Sequence, residues 1–412
     1  MARFRFPPFR RRPRADTPQA PDRPAIPSDL KVLIVAAFVI AVGFGIVAPV
    51  LPQFASSFGV GAAASGVVIS AFAVMRVAWA PAAGPLMSRI GERRTYLWGL
   101  GIVAASSAAT AFAGSYAWLI VLRGLGGIGS VMFTISAMGL IARLAPTAIR
   151  GRVSGYYATA FLLGNIMGPV LGSLTAQWGL QAPFIIYAAA LAVAIAVAAW
   201  KLRPVAASTD TGSVVLPMRL GEAWATPGYR ALLSSSFAHG WANFGARVAL
   251  IPLLAAAIVG GSGAGVAGVA LAALAGGAAV SQVLLSGLSD RIGRRPVMLA
   301  GLFASAVLTG AFGFSQNEWV LWSLCLTTGF TTGLYAPAQQ AALADIVGSK
   351  RSGGNVMATY QAAADAGTIV APVLLGAVVD AVGFGLAFLI SGALFVLAGL
   401  AWTTSRLPKR LE

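Results

Sequence analysis

The sequence predicts an all-α integral membrane protein with twelve transmembrane helices, arranged as two pseudo-symmetric six-helix bundles. Three observations carry this. The 412-residue chain is 58% hydrophobic and 10% charged, with mean hydropathy +0.81. Soluble domains carry about 25% charged residues, so most of this exterior must face lipid. A basic loop also occurs twice, and the chain's cations gather on one side of its apolar runs.

The first loop is Gly84-Pro85-Leu86-Met87-Ser88-Arg89-Ile90-Gly91-Glu92-Arg93-Arg94, and the second is Ser286-Gly287-Leu288-Ser289-Asp290-Arg291-Ile292-Gly293-Arg294-Arg295. Leu and Arg-Ile-Gly recur at an offset of 202, as from Arg89 to Arg291, and an Arg-Arg pair closes each copy. A repeat of that length divides the molecule into two similar halves. Other features repeat as well. Gly43-Phe44-Gly45 with Pro52 echoes Asn243-Phe244-Gly245 with Pro252, and Gly164 with Pro169 echoes Gly367 with Pro372.

Residues 1–30 are rich in Arg and Pro and read as a disordered cytoplasmic leader. The first apolar run is long enough to span, unlike the short core of a cleaved signal peptide. Roughly 20 apolar residues cross a bilayer. The runs are 31–52, 64–87, 95–114, 116–142, 153–175, 181–201, 231–257, 266–286, 296–314, 319–342, 356–379 and 382–403. Lipid admits only helices or closed barrels, and runs this long and unalternating are helices. The first bundle is thus 31–201 and the second 231–405. Between them, 202–230 reads as a cytoplasmic linker with a short surface helix near 218–226, and 406–412 form a cytoplasmic tail.

Of the 29 Lys and Arg, all but Arg76, Arg123 and Arg247 lie in segments on one side of the runs. By the positive-inside rule that side is cytoplasmic, so both termini are expected inside a cell (plasma or inner) membrane. This placement also answers the net charge of +17: the cations are topological, and no nucleic acid is implied. Cys325, the one cysteine, lies within an apolar run and the chain has one histidine, so no disulfide, metal or cofactor is expected. There is no phosphate-binding glycine loop before Lys-Ser/Thr and no nucleophile placed with a base, which argues against an enzyme.

The loops resemble the cytoplasmic signature of the major facilitator superfamily, Gly-x-Leu-x-Asp-Arg-x-Gly-Arg-Arg. Asp290 holds the acidic position in the second copy, and Ser88 replaces it in the first. Arg123-Gly124-Leu125-Gly126-Gly127-Ile128-Gly129 resembles the family's Arg-x-x-Gln-Gly-x-Gly motif, with Gly126 for Gln. Gly164-Asn165-Ile166-Met167-Gly168-Pro169-Val170-Leu171-Gly172-Ser173 resembles the fifth-helix motif of the exporter branch, mainly drug:proton antiporters.

The resemblance implies helices 1, 4, 7 and 10 around a central cavity, with 2 and 11 meeting across the halves. It implies a gate at Gly84, Arg89, Gly91, Asp290, Arg291, Gly293, Arg294 and Arg295, where Asp290 meets the start of helix 5 near Arg152 to Ser154. It places Gly164, Gly168, Pro169 and Gly172 against helix 8. Arginines that only fix topology, and glycines that only pack, are the ordinary readings of the same residues.

Ionisable groups inside spans are expensive and mark function. Arg76, Arg123, Arg247 and Asp365 form the expected charge network. Arg76 and Asp365 lie about 18 Å and 14 Å from one face at 1.5 Å per residue, close enough in depth to pair across the halves. Asp365 is the expected proton carrier, with His239 second because a free imidazole titrates near pH 6.5; a packing histidine is the ordinary alternative. Trp241, Asn243, Tyr335, Gln339 and Gln340 are cavity candidates, although such aromatics more often pack.

The function expected is proton-coupled efflux of small amphipathic molecules by a monomer in the lipid bilayer. The alternatives are a sugar or metabolite importer or facilitator, and a non-transporting sensor or scaffold, which would have no use for buried charges.

Overall fold

The computed structural model describes residues 26–145, 149–202, 218–261, 263–285, 287–347 and 354–405. The bulk of the leader, linker residues 203–217, Ser286, Lys350, Arg351 and the tail lie outside them. The described chain is almost wholly helical. In the first half are α1 (Ser28–Val47), α2 (Ala62–Ile90), α3 (Glu92–Ala111), α4 (Tyr116–Leu144), α5 (Arg150–Thr175) and α6 (Ala182–Lys201). In the second are α7 (Pro227–Gly240), α8 (Ala264–Leu285), α9 (Arg294–Ala311), α10 (Glu318–Val347), α11 (Gly354–Val382) and α12 (Phe384–Thr403). A short helix at Leu220–Trp224 sits where the sequence places a surface helix.

Among the described residues, ten helices are long and apolar enough to cross a membrane. Helices α3 and α10 are the other two of the twelve, and several of their polar side chains turn inward: Ser106, Ser107, Thr110, Thr328, Thr332 and Gln339 are all buried in protein.

The two halves share one internal plan. In the first, α1 packs on α5, α2 on α4, and α3 on α6; in the second, α7 packs on α11, α8 on α10, and α9 on α12. The halves meet through two further equivalent contacts, α2 with α11 and α5 with α8. Both first helices break near a proline. Helix α1 resumes as Leu51–Ser56 with Pro52 in its first turn. Helix α7 continues through a π-helical stretch, Trp241–Leu250, into Ile251–Val259 with Pro252 in its first turn. Proline is tolerated there because its missing N–H would be unpaired anyway. A π-helical stretch inside a helix often marks a functional site, and this one carries Asn243 and Arg247.

The recurring Arg-Ile-Gly has a backbone cause. Gly91 and Gly293 have φ of +83° and +95° and immediately precede α3 and α9. A side chain would be strained at such angles, so glycine is required at both tight turns.

Candidate transport site

The two basic loops define one face of the molecule, called here the basic face. Several contacts between the halves lie at mid-depth or toward the opposite face. There, Gln53 Nε2 of the first half donates to the Pro252 carbonyl (3.5 Å). The backbone N–H groups of Ala62 and Ala63, which open α2, donate to the two Asp380 carboxylate oxygens at 2.8 Å each. A carboxylate at a helix N-terminus meets unpaired donors and the positive end of the macrodipole. Asp380 follows the eleventh apolar run and is not among the residues singled out from the sequence. Its signal is its place: acids contribute little to topology, so one at a helix end calls for a donor.

Toward mid-depth, Ser70 Oγ donates to the Ile369 carbonyl (2.6 Å). Phe44 and Phe244 meet edge to face at 6.3 Å, and Phe44 also contacts Phe72 at 6.2 Å. At Gly268 of α8 a Cβ would lie 2.6 Å from the Pro169 carbonyl of α5. Only glycine allows that approach.

The expected placement of the α5 motif is corrected in part. Gly164, Gly168 and Gly172 face α1, against Ala41, Gly45 and Ile46 of the same half. It is Pro169 and Ser173 that touch α8. Glycines at i, i+4 and i+8 share one helical face, and that face turns inward to its own bundle.

On the basic face the loop arginines act as staples. Arg93 donates from Nε to the Leu202 carbonyl (2.6 Å) and from Nη2 to that of Ala199 (2.5 Å). Arg295, at the equivalent position, donates from Nε to the Trp402 carbonyl (3.1 Å) and from Nη2 to that of Thr403. Each thereby satisfies the last carbonyls of its half's sixth helix.

A second equivalence carries opposite signs. Glu92 accepts from Arg143 Nε (2.9 Å), and Arg294 donates to Asp345 (3.1 Å). Glu92 corresponds to Arg294 and Arg143 to Asp345 in the repeat, so the same bridge is built with its charges exchanged. Arg294 also pairs with Asp290 (2.8 Å) and donates to Ser289 Oγ (2.6 Å). Asp290, Arg291 and Arg89 are exposed. In the second loop Arg294 thus holds both Asp290 and Asp345, while Ser88 of the first copy donates to the nearby Pro85 carbonyl (2.8 Å). Gly84 has open space around its Cα.

Replacing Arg143 by Gln is expected to cost about 1–3 kcal/mol, since Glu92 is buried and loses a charged partner. The exchange Glu92→Arg with Arg143→Asp, copying the second half's polarity, should recover most of that loss in the melting temperature of solubilised protein. A double variant no more stable than Arg143→Gln would contradict the equivalence.

Two cavities lie between the halves. The smaller, about 250 Å³, is lined by Arg76, His239, Asn243, Gln340 and Asp365 among others. It unites residues from α2, α7, α10 and α11 that the sequence singles out separately. Arg76 and Asp365 share it without forming an ion pair; the expected pair is an adjacency here. Asp365 instead accepts from Gln361 Nε2 (3.0 Å). His239 Nδ1 shares a hydrogen bond with Tyr335 Oη (2.8 Å).

The larger cavity, about 680 Å³, takes Arg76, Arg123, Asn243 and Arg247 into its wall and shares Phe72 and Phe244 with the smaller one. Arg123 lies over the Phe72 ring at 4.9 Å, and Arg247 Nη2 donates to Thr332 Oγ1 (2.7 Å).

Three cavity candidates are corrected. Trp241 donates to Ser391 Oγ (3.1 Å), Gln339 to Ser235 Oγ (3.3 Å), and Tyr335 is fully buried. All three turn into the second bundle and line neither cavity. Asn243 and Gln340 remain on a cavity wall. Among the described residues no cluster of His, Cys, Asp and Glu could hold a metal.

A family model described as Major Facilitator Superfamily matches residues 33–246 and 232–412. The chain is 29% identical over 162 residues to "Quinolone resistance protein NorA" of Staphylococcus aureus, covering 39% of this chain and 42% of that one. It is 27% identical over 166 residues to "Multidrug resistance protein 2" of Bacillus subtilis, covering 40% and 41%. The match thus spans about two fifths of these relatives' length. Among solved structures, a bacterial homologue of the human lysosomal transporter Spinster, inward-facing and unoccupied, superposes with a TM-score of 0.79 at 15% identity, covering 91% of this chain and 95% of that one. The nucleoside transporter NupG does so with a TM-score of 0.73 at 13% identity, covering 91% and 99%. A shared fold and a matching family model over both halves lead to one conclusion: the chain belongs to the major facilitator superfamily, as a multi-pass membrane protein that resembles the family's drug-efflux branch.

Proposed function

We propose that the protein exports small amphipathic molecules across the cell membrane by alternating access, driven by protons, with its basic face and both termini in the cytoplasm. The observation that carries this reading is the small cavity where Asp365, Arg76 and His239 meet beside the large one. Asp365 is the proton carrier, and Arg76 is the charge it acts on.

Ionised Asp365 attracts Arg76 across the cavity and draws α11 toward α2 on the basic face. Protonation removes that attraction. Two unit charges 4 Å apart interact by about 4 kcal/mol at an effective dielectric of 20. Shifting a two-state equilibrium from 1:99 to 99:1 takes about 5.5 kcal/mol. One titrating pair therefore supplies much of the required bias, and solute binding adds to it. His239 extends the polar path through Tyr335.

The test is transport in proteoliposomes with and without an imposed pH gradient, over a panel of amphipathic compounds, sugars and nucleosides. Amphipaths should accumulate against their gradient only when protons flow the other way. A sugar or metabolite that equilibrates regardless of the pH gradient would make the protein a facilitator.

A further inference from the structure

The large cavity holds three guanidinium groups and no carboxylate. Arg76, Arg123 and Arg247 all stand in its wall. Asp365 lines the smaller cavity, and the other described carboxylates sit at or near the two faces: Asp29, Glu92, Glu222, Asp290 and Asp345 toward the basic face, Glu318 and Asp380 toward the opposite one. Arg123 and Arg247 are 7% and 2% exposed. The Nε of each is buried without a hydrogen-bond partner. The two belong to opposite halves, Arg123 to α4 and Arg247 to the π-helical stretch after α7.

A buried cation is costly unless paired, and two facing one apolar space also repel each other. The contacts already described do not offset this. The Phe72 ring offers Arg123 a weak quadrupole attraction, and only neutral hydroxyls, those of Thr332 and Tyr335, serve Arg247. A guanidinium fork matches the two oxygens of a carboxylate. Apolar walls complete the site. Phe44, Phe72 and Phe244 form a connected aromatic cluster beside the arginines, suited to an aromatic or alkyl body.

We propose that the large cavity selects amphipathic organic anions, with the acidic head held between Arg123 and Arg247 and the apolar body against the phenylalanine cluster. This rests on the transporter reading above and names its substrate class. The anion neutralises cations from both halves at once, so its binding also removes a repulsion that opposes their approach. Organic cations are excluded by the same charges.

The test is equilibrium dialysis of nanodisc-embedded protein at neutral pH, with empty nanodiscs subtracted. The probes share one body and differ in the head: naphthoate, naphthylmethanol and naphthylmethylammonium. Naphthoate should bind saturably and at least about tenfold more tightly than either of the others, the scale of one charged hydrogen-bonding partner. Arg123→Gln and Arg247→Gln should each remove about that factor, with Arg→Lys at either position intermediate. Ammonium binding as tight as naphthoate binding would overturn the proposal. So would naphthoate affinity unchanged in both Gln variants. Should a variant fail to fold, the head-group comparison on the parent protein still decides. Dialysis needs no gradient, so a failure of proton coupling would leave this result standing. Proton-driven export of a cation would conversely sink the anion assignment alone.

Discussion

Asp365→Asn is expected to lower concentrative, gradient-driven export by at least about 10²-fold, the scale of losing a positioned proton-transfer group. Asparagine keeps the size of the side chain and an oxygen to accept from Gln361, so the packing of α11 is retained. What it loses is the charge that attracts Arg76 and the ability to carry a proton. The variant therefore behaves as a permanently protonated carrier. Solute-for-solute exchange across the membrane should persist, because it needs binding and alternation but no proton transfer. That split separates a coupling residue from a structural one. If His239→Gln abolishes coupling and Asp365→Asn does not, the carrier is His239.

Asp380→Ala is expected to loosen closure on the face opposite the basic loops. Asp380 accepts two hydrogen bonds from the first N–H groups of α2 and reaches them from the other half. Because the contact is solvent-exposed, removing it should cost about 0.3–1 kcal/mol, the range for an exposed charge at a helix terminus. That shifts the ratio of the two conformations about 2- to 5-fold. The readout is labelling by a membrane-impermeant maleimide at Ala48→Cys, in the wall of the large cavity, in a Cys325→Ser background free of other cysteines. Labelling from the face opposite the basic loops should speed up by that factor. An unchanged rate, in protein inserted normally, would show that Asp380 does not hold the closed state.

Much of this architecture is legible in the sequence because lipid restricts the choices. Apolar length marks the helices, and all but three of the cations lie in segments on one side of the apolar runs. The loop repeat exposes the two halves, and a glycine with positive φ explains why that repeat persists. Which way each helix faces is far less legible. In water, the apolar stripe of a helix points inward; in a membrane, the lipid-facing and buried sides are both apolar, and that signal fades. Trp241, Tyr335 and Gln339 therefore face their own bundle where the sequence suggests a cavity wall, and the α5 glycines pack on α1 where the sequence suggests α8.

Buried charges proved better guides. Arg76, Arg123, Arg247 and Asp365 each line a cavity, since a charge inside a bundle needs polar space. The exchanged bridges, Glu92 with Arg143 and Arg294 with Asp345, obey the 202-residue repeat. They stay hidden to a search for identical residues, because the repeat preserves the pairing and reverses the signs.

The central claim is that protons moving through the Arg76–Asp365–His239 cavity drive solute through the cavity beside it. Proton flux and solute flux recorded together in the same proteoliposomes test this most directly. The account predicts that the two run in opposite directions at a ratio that stays constant as solute concentration is varied, and that a protonophore halts solute accumulation. Solute flux that continues against its gradient with the protonophore present, or without any accompanying proton movement, would contradict it.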